Sequence, residues 1–291
     1  MTVHQTINRP VFPAETLASM ATLYPAQAGL LHHDLPDHPL LSIEALARLG
    51  ETLPASAVEY NPGNLPVGIR PEDVPSNGLS IGETIRTIDT NGSWAVLKNI
   101  ETMPDYRALL MDLLGELESV VVPRTGAMLT PQGFIFISSP ASITPFHFDP
   151  EHNILLQLRG TKVMNVWPAG DERFARRIEH ERYHTGGHRN LPWDEAFRGG
   201  EQQVPLGPGD AVLMPVMAPH FVVNGDAPSI SLSITWRSEW SYREAEAHAA
   251  NAALRRMGLD PAMPPRWPRH ARAKSLGWRI ARKLRLVGER R

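Results

Sequence analysis

The chain has 291 residues, enough for one large domain or two small ones, and its 42% hydrophobic and 21% charged residues are the balance of a soluble globular protein. It has no cysteine, which excludes disulfides, a thiol nucleophile, zinc–thiolate sites and iron–sulfur clusters, so any metal must be held by His, Asp or Glu. A net charge of −2 gives the whole molecule no pull on polyanions, but residues 266–291 carry +9, which leaves −11 on the rest.

No apolar run approaches a membrane span, and His4 and Arg9 are followed by no signal-like apolar segment, so the expected compartment is cytoplasmic. Residues 1–13 read as a loose arm. Ser42 is expected to open a helix with Ile43, Leu46 and Leu49 on one face. Ser80 and Glu83 have the spacing of a capping box before Ile85 and Ile88, with Gly92 as the stop. Trp94 to Leu97 is a strand candidate. Leu109, Leu110, Leu113, Leu114 and Leu117 give Tyr106 to Val121 helical spacing.

After Pro123 the pattern changes to short strands punctuated by Pro and Gly, expected at 133–138, 144–149, 153–158, 161–167, 210–215, 220–224 and 229–236. Phe134 and Phe136 share one face of the first and read as core. A helical insert is expected between Asp171 and His184. A helix from Ser241 to Met257 follows, with Ser241 as its cap and Glu244 three residues on. The expected organisation is a mixed N-terminal region (1–123), a β-rich core (124–240) and C-terminal helices with a basic tail (241–291).

The segment Thr144-Pro-Phe-His147-Phe-Asp149 carries the chemistry. Residues i and i+2 of a strand share a face, so His147 and Asp149 aim together and Phe146 and Phe148 aim the other way. His220 follows a Pro208-Gly209-Asp210 turn and a strand, and is approached through Pro215 and Pro219. Two histidines and a carboxylate on neighbouring strands make the ligand set of non-haem iron oxygenases, with three coordination positions left open. His-x-Asp alone also suits a strand-end ion pair. Lys162, in an otherwise apolar strand, would be costly unless paired. Arg159 in the preceding turn is its rival, and an edge lysine facing water is the plainer alternative. Likewise Asn153 suits a turn cap and Thr144 a simple β-former.

From about Leu129 to Trp236 these motifs, with Gln157-Leu-Arg-Gly160-Thr-Lys162, resemble the JmjC and cupin-like Fe(II)- and 2-oxoglutarate-dependent oxygenases, especially their asparaginyl-hydroxylase branch. The resemblance implies a mainly β (α+β) fold, a double-stranded β-helix (cupin/jelly-roll) barrel flanked by N- and C-terminal helical elements. It implies Fe(II) on His147, Asp149 and His220, with 2-oxoglutarate as cosubstrate and dioxygen as oxidant. Lys162 and Thr144 would meet the distal carboxylate of 2-oxoglutarate, and Asn153 would help hold it near the metal. A second asparagine of the family appears here as Thr235, and a family tyrosine from an earlier strand has no placed counterpart.

The expected activity is hydroxylation of a protein side chain or small molecule, with demethylation where the hydroxylated carbon sits on nitrogen. Two alternatives stand beside it. One is a non-catalytic cupin-like module that binds a metal or small acid in a regulatory role. The other is a metal-dependent cupin that needs no cosubstrate. His32, His33 and His38 read as part of a polar loop rather than a second metal site. His180, His184 and His188 read as largely solvated, with some contribution to a lid. In the tail, Leu276, Ile280, Leu284 and Val287 have helical spacing among Arg279, Arg282, Lys283 and Arg285. The favoured expectation packs that stripe on the body or a second subunit, a homodimer through the C-terminal helices being one form. Contact with nucleic acid or a membrane surface is the less favoured one.

Overall fold

The structure, a computed structural model, describes residues 9–35, 37–62 and 76–285. It is a mixed α/β protein built around two antiparallel sheets. The N-terminal part holds α1 (Ala14–Leu23), β1 (Gly29–His32), α2 (Ile43–Thr52), β2 (Val58–Pro62), α3 (Ile81–Arg86), β3 (Ser93–Lys98) and α4 (Pro104–Thr125). The β-rich part runs through β4 (Leu129–Ser138), β5 (Ile143–His147), β6 (His152–Arg159), β7 (Lys162–Val166), α5 (Arg177–His184), β8 (Gln202–Leu206), β9 (Asp210–Met214), β10 (His220–Asn224) and β11 (Ser229–Arg237). Two helices close the chain, α6 (Glu239–Arg256) and α7 (Arg272–Lys283).

The larger sheet has the order β1-β9-β6-β11-β4-β3-β2 and the smaller β5-β10-β7-β8. From β4 onward the chain passes repeatedly from one sheet to the other, so several connections are corners at the ends of the two layers. No strand ladder joins the sheets among the described residues, and the barrel closure expected from the sequence is not seen. The Gly160 corner shows why a corner needs its residue. Its φ is +67°, and a Cβ there would lie 2.1 Å from the Pro228 carbonyl oxygen, so only glycine fits where β6 turns into β7.

The two faces of the large sheet have different tasks. Ile135, Ile137, Ile154, Leu156, Leu213, Ile234 and Trp236 are buried in one cluster with the α4 stripe Leu109, Leu110, Leu113, Leu114 and Leu117 and with side chains of α1 and α2. Each such side chain contributes on the order of 1.5–3 kcal/mol on burial. The inward face meets the small sheet through Leu155, Val212 and Met214 against Met164, Val166, Val204, Leu206 and Val222. A third cluster, Phe146, Phe148, Trp167, Leu191, Val216, Met217 and Trp240, packs behind β5.

Local signals and structure differ in instructive places. Ser80 and Glu83 do form the capping box of α3. For α6 the cap is Ser238 rather than Ser241; the Ser241 hydroxyl instead returns the hydrogen bond from the third helical position. Two serines three apart suit either role, and Ser238 wins because its hydroxyl is also held by the buried His152 ring at 2.9 Å. Strand β8 escaped the sequence reading because Pro205 interrupts it; the proline is tolerated because β8 is an edge. The helical insert begins only at Arg177.

Candidate metal centre

β5 ends at His147, and the chain then turns the corner that carries Asp149 towards β6. His220 opens β10 immediately after another corner and lies directly opposite His147 in the ladder. The ligand atoms of His147, Asp149 and His220 all lie within 4.8 Å of one another. Asp149 Oδ2 is 3.6 Å from His147 Nε2 and 3.7 Å from His220 Nε2. Among the described residues, this is the one group of three such side chains that gathers so closely.

Backbone carbonyls set the tautomer of both rings. His147 Nδ1 donates to the Pro145 oxygen at 2.7 Å, and His220 Nδ1 donates to the Ala218 oxygen at 2.9 Å. With each proton fixed on Nδ1, each Nε2 keeps its lone pair towards Asp149. Arg189 donates to Asp149 Oδ1 at 2.8 Å, which leaves Oδ2 to face the two rings, and the Met217 backbone N–H holds the Asp149 carbonyl at 2.7 Å. Burial works to raise the Asp149 pKa. The interactions with His147, Arg189 and His220 outweigh it, and the carboxylate stays ionised well below its usual range. Burial, with His147 adding to it, pulls His220 down to about 4, so its ring is neutral near pH 7. Two imidazoles and one carboxylate, gathered within reach of one another and oriented by second partners, fit a divalent cation.

The inner wall beyond this group sets a few polar side chains among apolar ones. Rows of facing residues across β5, β10 and β7 read His147–His220–Val166, then Thr144–Val222–Met164, then Asn224–Lys162. Thr144 and His147 are three apart and would face opposite ways in a regular strand. The register shift between His220 and Val222 brings both to the inner side. Lys162 points inward with Met164 and Val166, is only 5% exposed, and makes no hydrogen bond or ion pair among the described residues. Desolvation alone pulls its pKa down to about 7. The rival Arg159 is half-exposed and lies 3.9 Å from Asp89.

On the opposite wall, Asn153 faces inward from β6, and its Oδ1 accepts from Ser233 at 2.8 Å. The bond fixes the amide and leaves Nδ2 turned to the interior. Thr235, in register with Asn153, spends its hydroxyl on the Gln132 carbonyl. None of the described tyrosines lies on the inner wall. Tyr60 packs with the outer core, Tyr24 bonds Thr125, Tyr106 bonds the Leu40 carbonyl and Tyr242 bonds Thr130. Tyr183 belongs to α5, where its ring meets Phe148.

The other histidines depart from their sequence reading. His32 does pair with Asp210 near the surface, and His38 caps the short turn at Pro39–Leu41. His33, however, is buried and bridges the Gln157 and Asp210 carbonyls, and burial lowers its pKa to about 4. His180 and His184 are not solvated. They are buried and stack with His248 of α6 at ring-centroid distances of 4.9 and 5.4 Å, while His180 also stacks on Phe148. His188 is exposed.

No protein-family model matches this sequence, and no curated protein matches it. Solved structures do. The chain is similar to Escherichia coli ycfD, at 16% identity and a TM-score of 0.49, over 94% of this chain and 67% of that one. It is also similar to YcfD, a ribosomal oxygenase from Escherichia coli, in complex with cobalt and 2-oxoglutarate, at 17% identity and a TM-score of 0.48, over 94% and 66%. A shorter match is the DMSP lyase DddQ from Ruegeria pomeroyi DSS-3, at 19% identity and a TM-score of 0.25, over 37% and 38%. The chain spans about two thirds of the length of the YcfD chains. At such values the functional reading has to stand on the side chains of the site.

Proposed function

We propose that this protein is an Fe(II)- and 2-oxoglutarate-dependent oxygenase that hydroxylates its substrate, with His147, Asp149 and His220 as the metal ligands. The observation that carries the reading is one inner wall holding both a three-ligand group and a buried lysine with no partner among the described residues. A cation without a counter-charge in an apolar strand is costly, and a dicarboxylate cosubstrate would supply that charge. Lys162 lies two ladder rows from His220, roughly 13 Å along the strand at ~3.3 Å per residue. A lysine side chain and an extended keto diacid together cover that span. In this reading Thr144, one row nearer, offers its hydroxyl to the same carboxylate, and Asn153 offers its amide from the facing sheet.

Iron held by His147, Asp149 and His220 would supply the oxidative decarboxylation of 2-oxoglutarate, in which dioxygen, 2-oxoglutarate and a C–H bond would give succinate, carbon dioxide and a hydroxylated product. The chain contributes the rest. The Pro145 and Ala218 carbonyls hold the imidazole protons away from the ligand position. Arg189 aims the carboxylate, and the cluster behind Phe146 and Phe148 keeps water from that side. The alternation of strands between two layers suits the double-stranded β-helix reading of the core. The asparaginyl-hydroxylase branch draws no support from Thr235, whose hydroxyl is already engaged.

The test is succinate formation followed by NMR in the presence of Fe(II), 2-oxoglutarate and oxygen. Succinate above the protein-free background is expected for the native chain, and His147→Ala should lose it together with metal binding. Full turnover in His147→Ala would refute the ligand assignment. Binding of 2-oxoglutarate without succinate across a broad substrate screen would favour a regulatory binding module instead.

A further inference from the structure

α7 presents an apolar stripe on the side away from the body. Leu276, Ile280 and Leu284, spaced at i, i+4 and i+8, are 60%, 51% and 62% exposed. The helix docks through its other side: Ala271 and Ser275 are buried, Ser275 and Arg279 bond Glu246 of α6, and Lys274 bonds Asn251. For Leu276, Ile280 and Leu284 the expectation of packing on the protein's own body is therefore corrected, while Val287 lies outside the described residues. The small and polar positions of α7 do the docking, and the large apolar ones are left outside.

The charge around the stripe is of one sign. Residues 272–285 hold Arg272, Lys274, Arg279, Arg282, Lys283 and Arg285 and no acidic residue. Arg272, Arg282, Lys283 and Arg285 make no ion pair among the described residues. We infer that α7 is a docking surface for an anionic phospholipid bilayer, with Leu276, Ile280 and Leu284 entering the boundary between headgroups and acyl chains and the basic side chains meeting the headgroup phosphates. A helix of 12 residues, about 18 Å long, is too short to cross a bilayer, so the contact is with the surface. A nucleic acid would use the cations but leave three large apolar side chains in water. A second copy of the chain would cover the stripe but bring two sets of unpaired cations together. An anionic bilayer satisfies both features at once.

The experiment is co-sedimentation of the full-length protein with vesicles of phosphatidylcholine alone and of phosphatidylcholine mixed with phosphatidylglycerol, at low and high salt. Retention on the mixed vesicles alone, weakened by salt, is expected. The triple variant Leu276→Ser, Ile280→Ser, Leu284→Ser and the pair Arg282→Glu, Lys283→Glu should each lower the partition by about tenfold or more while circular dichroism and 2-oxoglutarate turnover stay native. Equal binding to both vesicle types, no binding, or binding that neither variant changes would overturn the inference. Two other results would overturn it in favour of another partner. One is a dimer by light scattering that the serine variant dissociates, without lipid binding. The other is RNA binding that the serine variant leaves intact, again without lipid binding.

Discussion

Replacing Lys162 with methionine should make the ligand-free protein more stable and the cosubstrate complex weaker. Lys162 is held in an apolar strand with no counter-charge among the described residues, and its pKa falls from 10.5 to about 7. A downward shift of that size is worth up to about 5 kcal/mol against folding at a pH where the unfolded lysine is protonated. Side-chain relaxation and water entry reduce this, so a gain of ~2–4 kcal/mol is expected for Lys162→Met, which keeps the length of the stem. For a chain of this size that is a rise in melting temperature on the order of 3–7 °C. The pH dependence has a definite sign. Between about pH 7 and 10.5 the unfolded chain holds the proton and the folded chain does not, so native stability rises with pH there relative to the variant. The advantage of Lys162→Met is therefore fully present below pH 7 and shrinks towards pH 10. Urea unfolding of both proteins across that range measures it. With both proteins already loaded with a redox-inert divalent metal, adding 2-oxoglutarate should raise the melting temperature of the native protein clearly more than that of Lys162→Met. A destabilised variant, or a difference that does not change with pH, would refute the picture of an unpaired buried cation.

Three further outcomes follow from particular contacts. Arg189→Ala removes the partner of Asp149 Oδ1 and should weaken metal binding by about 10–100-fold in a chelator competition, whereas unchanged affinity would make the ion pair incidental. Acid should destabilise the fold before ordinary carboxylates titrate. Burial lowers His33 to about 4 and His152 and His180 to about 3, so below pH 6.5 the unfolded chain gains protons that the folded chain refuses, and stability falls with pH until those values are reached. Denaturant midpoints measured between pH 7 and 4 test this, and a flat profile would contradict it. Gly160→Ala should cost at least ~1–3 kcal/mol in urea unfolding because of its positive φ and its approach to the Pro228 carbonyl, and a neutral result would mean that the corner relaxes freely.

The grouping of His147, Asp149 and His220 was legible in the sequence because its geometry is largely local. Strand alternation alone puts His147 with Asp149 and sends Phe146 and Phe148 to the opposite side, and the prolines before His220 mark a corner. Lys162 was legible for the same reason, as a charge among Val163, Met164 and Val166. What stayed hidden depends on long-range partners. Arg189 lies 40 residues from Asp149 and carries no pattern that points to it. That Thr144 shares the wall of His147 depends on a register shift that no spacing rule supplies. His180 and His184 stand in a run of Arg and Glu that reads as a surface helix, and only α6, arriving much later with His248, buries them. The stripe of α7 was visible as a period, but a period does not say which side of a helix faces the body.

The most direct test of the account is anaerobic addition of Fe(II) and then 2-oxoglutarate, watched by visible absorption. The account predicts a weak charge-transfer band that saturates at one iron per chain, disappears in His147→Ala and needs far more 2-oxoglutarate in Lys162→Met. A folded, iron-loaded protein that gives no band at any 2-oxoglutarate concentration would contradict it.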